Sequence, residues 1–174
     1  AGRFEIINEG NVYQFSVAKN NQSMIILENN DSLEESYEFE FGRGIELERG
    51  NLALSFAIDS VSGEFKNGGN IPRMVPSRNI YSMSYSVNDL EFRLNLKDVK
   101  EQRDIGVGET KTDGYQMLDV LVKQTFNLSN QSNFSLSLFA NNLLDEVARN
   151  HTSFVKNEIP LAGRNYGIRF NYQF

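Results

Sequence analysis

The sequence has no cysteine and no tryptophan, only three prolines and a single histidine, His151. Without cysteine there is neither a disulfide framework nor thiolate chemistry. With one histidine, a histidine-rich metal site or a Ser-His-Asp triad would have to be built around position 151. No apolar run approaches the roughly 18 residues a spanning helix needs; the longest is Met24 to Leu27. That absence excludes helical spans alone, because a spanning strand is apolar only at every second position. Cationic excess is missing too. The net charge is −6, which makes phosphate backbones and anionic surfaces poor partners, and no nucleic-acid partner is expected. The opening residues Ala1-Gly2-Arg3-Phe4 lack a signal-peptide layout. An exported protein would have lost its leader, or this is an internal piece of a longer chain.

What the chain does have is strand signal. Its 174 residues, 40% hydrophobic and 23% charged, suit one folded unit. Leu52, Leu54, Phe56 and Ile58 alternate with Ala53, Ser55, Ala57 and Asp59, the period of a sheet with unlike faces. Tyr81, Met83, Tyr85 and Val87 alternate with serines, and Leu90, Phe92, Leu94 and Leu96 with Glu91, Arg93, Asn95 and Lys97. Asn88-Asp89 between those runs predicts a tight hairpin, since both residues tolerate positive φ. The same alternation covers 118–126, 134–140 and 166–174, and 37–47 carries Tyr37, Phe39, Phe41, Ile45 and Leu47. Weaker strands are expected over 4–7, 12–17 and 24–27. Asn141 to Arg149 reads as loop in preference to helix, Glu34-Glu35 as part of a solvated loop, and Gly42-Arg43-Gly44 and Gly106-Val107-Gly108 as turns or bulges.

Alternation by itself serves a lipocalin-like barrel, a β-sandwich or a membrane barrel equally well. Connections favour the last, being short near 48–51, 88–89 and 127–133 and long near 64–77, 102–113 and 143–162. The strands also run to about 9 to 11 residues, enough to cross a bilayer at a tilt. Polar faces mix Asp59, Glu91, Arg93, Lys97, Lys123 and Arg169 with serine and asparagine, as a hydrated lumen would. Tyr81, Tyr115, Tyr166 and Phe174 are either interfacial girdle residues or ordinary core aromatics.

The segment from Asn141 is more specific. Asn141-Asn142-Leu143-Leu144-Asp145-Glu146, Arg149-Asn150-His151-Thr152-Ser153-Phe154-Val155-Lys156 and Ile159-Pro160-Leu161-Ala162-Gly163-Arg164 together resemble the C-terminal signature of TonB-dependent outer-membrane receptors. Gly68 to Pro76 and Glu109 to Tyr115 resemble further strand lead-ins of that family, so the likeness covers about residues 37 to 174. Within the family, the Arg149 to Lys156 stretch looks most like the zinc-uptake ZnuD type. The resemblance implies an all-β, antiparallel up-and-down β-barrel, with about 8 to 10 strands of a larger transmembrane barrel present. Such receptors have about 22 strands around a plug, so the chain would be a C-terminal portion lacking the plug, the N-terminal strands and the segment that contacts TonB.

Function is then expected to be uptake of a metal ion or metal chelate at the bacterial outer membrane, with zinc or an iron chelate as cargo, no resident cofactor and no enzymatic role. Expected partners are outer-membrane lipid, the barrel-assembly machinery and the remainder of the receptor, with TonB reached only through the absent part. Asn165, Gly167, Phe170, Tyr172 and Phe174 resemble the assembly signal of outer-membrane barrels. His151 is either an exposed loop histidine or a metal ligand, with Asp145, Glu146 and Glu158 offering oxygen ligands in the same loop. A small stand-alone membrane barrel and a soluble β-barrel for a small apolar ligand remain the alternatives.

Overall fold

The computed structural model describes the backbone of residues 4–9, 12–17, 22–29, 32–66, 68–129 and 132–174, and side chains from Glu38 onward except 67 and 129–131. Ten strands follow one another: β1 (Phe4–Glu9), β2 (Val12–Val17), β3 (Gln22–Asn29), β4 (Ser32–Glu46), β5 (Asn51–Phe65), β6 (Arg78–Val87), β7 (Leu90–Val99), β8 (Tyr115–Ser129), β9 (Ser132–Asn141) and β10 (Asn165–Gln173). They form one sheet in sequence order, each strand antiparallel to the next, and among the described residues β1 and β10 are its open edges. This is an up-and-down sheet, the all-β arrangement expected, and the three weaker strand signals form strands as well.

Several local expectations change. Glu34 and Glu35 lie within β4, whose register with β5 is unbroken from Ser32↔Phe65 to Glu46↔Asn51. Gly42, Arg43 and Gly44 belong to the same regular ladder, opposite Ser55, Leu54 and Ala53, and form no turn or bulge. The pairing of two 15-residue strands carries polar residues that local propensity alone assigns to loop. Asn88 does take positive φ, 49°, in the expected hairpin. Beyond Asn141 the chain runs as loop up to β10.

Register assigns the faces. One row crosses the sheet through Leu54, Met83, Leu94, Val120, Ala140 and Tyr166, and the next through Leu52, Tyr85, Phe92, Val122, Leu138 and Ile168. The opposite face carries Ser82, Asn95 and Asp119 in one row and Ser86, Glu91, Lys123, Ser137 and Arg169 in another. Tyr115 is on this polar face, aligned with Val99 and Arg78, so it joins no girdle with Tyr81 and Tyr166. Phe139 is there too. Its cross-strand partner is Gly167, where a Cβ would come within 2.1 Å of the Phe139 ring, so only glycine admits this packing.

The apolar face is the uncovered one. Leu138 is 48% exposed, Ile168 61% and Phe170 67%, whereas Ser135 and Ser137 on the polar face are 5% and 8% exposed. Among the described residues, only Val99 and Ala148 are buried hydrophobics. Aromatic rings gather on the apolar face near the short β8–β9 turn, where Phe126, Phe134 and Phe170 stack across three strands at 5.8 and 6.0 Å. A soluble sheet of this size would cover such a face, since burial of apolar area is the main favourable term in folding.

Candidate functional site

All three long loops, 66–77, 100–114 and 142–164, connect strands at the same end of the sheet. The first two touch where Gly106 meets Pro72. A Cβ on Gly106 would fall 2.6 Å from that of Pro72, so the close approach requires glycine. Asn70 Nδ2 donates to the Ile105 carbonyl at 3.3 Å, and the backbone N–H of Arg73, in the left-handed region at φ 64°, reaches both carboxylate oxygens of Glu109 at 3.1 Å.

The third loop is anchored at both ends by the motifs that set it apart in the sequence. Asn142 is fully buried. Its Oδ1 accepts from Glu146 N–H at 3.0 Å, its Nδ2 donates to the Glu146 and Ala162 carbonyls at 2.9 and 3.2 Å, and its own N–H donates to Asp119 at 2.9 Å. Asp145 accepts from the Arg164 backbone N–H and guanidinium at 3.2 and 3.1 Å. The Asn-Asn-Leu-Leu-Asp turn therefore clasps the Pro160 to Arg164 lead-in directly, fixing how the chain enters β10.

At the centre lies a buried polar cluster. His151 is 1% exposed, not the exposed loop histidine of the simpler expectation, because Glu109 and Thr112 of the second loop cover it. Its Nε2 is 3.0 Å from Glu109 Oε1 and its Nδ1 2.8 Å from Thr112 Oγ1. Lys156 Nζ donates to Glu109 Oε1 at 3.0 Å and lies 3.4 and 3.5 Å from the two ring nitrogens. Burial and the neighbouring ammonium of Lys156 lower the His151 pKa against the pull of Glu109, which favours the neutral ring. The tautomer with hydrogen on Nε2 serves both partners, donating to Glu109 and accepting from Thr112. For Glu109, burial acts to raise the pKa, but Lys156, the Arg73 and Gly106 N–H groups and His151 outweigh it and hold the carboxyl at about 2.

This arrangement does not assemble the four loop residues considered as metal ligands. His151 turns both nitrogens to Glu109 and Thr112, Asp145 pairs with Arg164, and Glu146 and Glu158 are exposed. Among the described residues, no group of three or more His, Asp or Glu side chains is placed to hold a metal ion. Two of the deciding residues, Glu109 and Lys156, stand at the ends of separate motifs, and neither reads as a site residue in the sequence. Their separation of 47 residues hides the pair from any local pattern.

Of the proposed assembly-signal residues, Asn165 accepts a hydrogen bond from Asn141 at 2.8 Å, Gly167 lies under Phe139, and Phe170, Tyr172 and Phe174 are exposed on the apolar face.

No protein-family model and no curated protein matches the sequence. Among solved structures, the copper transporter OprC superposes with a TM-score of 0.66 over 97% of this chain, at 14% identity. The likeness shows the fold. The aligned part is 30% of the transporter chain, so this chain corresponds to a minor share of that protein's length.

Proposed function

We propose that the chain is the C-terminal wall of a TonB-dependent outer-membrane receptor barrel that takes up a metal ion or metal chelate. The observation that carries this reading is the exposed apolar face of an up-and-down sheet whose other face is polar. Lipid is the solvent in which such a face is favourable, and a barrel is the form in which a sheet satisfies its backbone there. The long loops then stand on the outer side, and β10 presents Asn165, Gly167, Phe170, Tyr172 and Phe174 to the assembly machinery. The fold shared with a copper transporter supports a metal as cargo. The Arg149 to Lys156 stretch that resembles zinc receptors is occupied with loop architecture, since Arg149 donates to the Lys156 and Asn157 carbonyls and His151 is enclosed. It therefore does not single out zinc over copper.

Uptake of labelled copper and zinc by cells carrying or lacking the intact reading frame tests the proposal. Loss of either uptake on deletion, with the protein recovered in the outer-membrane fraction, is expected. Recovery as a detergent-free soluble protein would overturn the membrane reading, and unchanged uptake of both metals from an outer-membrane protein would overturn the cargo alone.

A further inference from the structure

Glu109 belongs to the second long loop, yet four of its five hydrogen-bond contacts come from three groups on the first and third loops. Both its oxygens take the Arg73 N–H of the first loop, Oε1 takes Nε2 of His151 and Nζ of Lys156 from the third, and Oε2 takes Gly106 N–H from its own loop at 3.1 Å. A carboxylate has about four lone-pair sites, and here they are shared among donors of three loops. The side chains at the junction are sealed: Glu109 and Lys156 are each 7% exposed and His151 not at all. No buried side-chain nitrogen or oxygen among the described residues lacks a partner.

We propose that the Glu109 carboxylate is the common tie that makes the three long loops one cap, which holds or loses its shape as a unit. A buried ion pair whose polar atoms are all satisfied gives conformational uniqueness more readily than net stability. Among the described residues, the first and third loops have one direct polar connection, made by Arg73: its guanidinium donates to the Thr152 carbonyl at 3.2 Å and lies 3.1 Å over the Phe154 ring. That side chain emerges from the residue whose N–H Glu109 holds, so its reach depends on the tie. The contact of Thr110 Oγ1 with Asn157 Oδ1, at 3.0 Å, is on the exposed rim, whereas Thr112 to His151 and Asn70 to Ile105 each join the second loop to one neighbour and do not bridge the first loop to the third.

The absence of cysteine permits spin labels on introduced Val75→Cys and Val147→Cys, exposed positions on the first and third loops. Pulsed distance measurement on the intact, membrane-inserted protein then reads the spacing of two loops, neither of which contains Glu109. With Glu109→Gln the distance distribution is expected to broaden about twofold or more, and Arg73→Ala, which keeps the backbone N–H, to broaden it less. Glu109→Ala with Lys156→Met removes the tie without stranding a buried charge, and gives the same reading if the glutamine variant fails to insert. An unchanged distribution in whichever Glu109 variant inserts overturns the proposal, as does an Arg73→Ala effect equal to that of the Glu109 variant.

Discussion

In the sheet, leucine, isoleucine, phenylalanine and tyrosine side chains lie open, whereas in the loops lysine, histidine and asparagine are hidden. On the membrane reading proposed above, the contrast reflects two solvents acting on one chain. Along the strands lipid would make exposure of Leu138 or Ile168 favourable, and on the polar face Ser135 and Ser137 lie among Lys123, Thr125, Arg169 and Asn171. Beyond the strands, on the same reading, water would surround the loops. With Ala148 the one buried hydrophobic among the described loop residues, order there comes from satisfied polar groups, which depend on completeness: a network of this kind is worth little with one member missing.

Removing one member of the loop network should give the largest effect. Lys156→Met leaves the Glu109 charge buried without its ammonium partner, a loss of about 3–5 kcal/mol. Hydrogen exchange should show it at the Gly106 and Arg73 amides while strand amides of β7 and β8 keep their protection. Equal loss in the strands would erase the distinction between the two regions.

Acid should discriminate between them next. Glu109 and His151 both have folded-state pKa values below their ordinary 4.5 and 6.5. The loops therefore have their full stability above pH 6.5, begin to lose it as the unfolded form takes up the His151 proton, and lose the Glu109 share as pH falls from 4.5 toward about 2. At 1.36 kcal/mol per pH unit the Glu109 share is about 3 kcal/mol. Exchange rates in the cap that rise on acidification, against steady heat-modifiable mobility of the sheet, are the expected outcome. A cap insensitive to pH between 7 and 3 would remove Glu109 and His151 from its centre.

A smaller change sharpens the account of the sheet's polar face. Gly167→Ala drives a methyl group into the Phe139 ring and should cost about 1–3 kcal/mol as over-packing. Adding Phe139→Leu should restore most of it in a refolding titration, and failure of that rescue would mean that glycine serves backbone freedom instead. Smallest is Asp145→Asn. Its ion pair with Arg164 is solvent-exposed, so a loss under about 1 kcal/mol is expected, read as slightly faster exchange at the Arg164 amide.

Much of the sheet was legible in the sequence because period-2 alternation survives in either solvent. Leu52 to Ile58 and Tyr166 to Phe174 state their faces residue by residue. Legibility failed where that alternation is broken. The Glu34-Glu35 stretch of β4 is polar and became strand through pairing with β5, while Phe139 and Tyr115 stand on the largely polar face beside Leu121 and Val99, for reasons that only their cross-strand partners reveal. The loop motifs marked the segments that meet at the loop's ends, Asn142 to Ala162 and Asp145 to Arg164, without predicting those contacts. They said nothing of the centre, where Thr112 and His151 are 39 residues apart. A histidine's role depends on what folds over it, and spacing within one loop does not carry that information.

The central claim is that the apolar face of this sheet meets lipid and the polar face meets water. Single spin labels at Leu94, Asn95 and Leu96 of β7, in vesicles, can be read for collision with oxygen, which concentrates in lipid, and with a water-soluble nickel chelate. The account predicts oxygen-dominated relaxation at Leu94 and Leu96 and chelate-dominated relaxation at Asn95; chelate access to Leu94 and Leu96, or no alternation across the three positions, would contradict it.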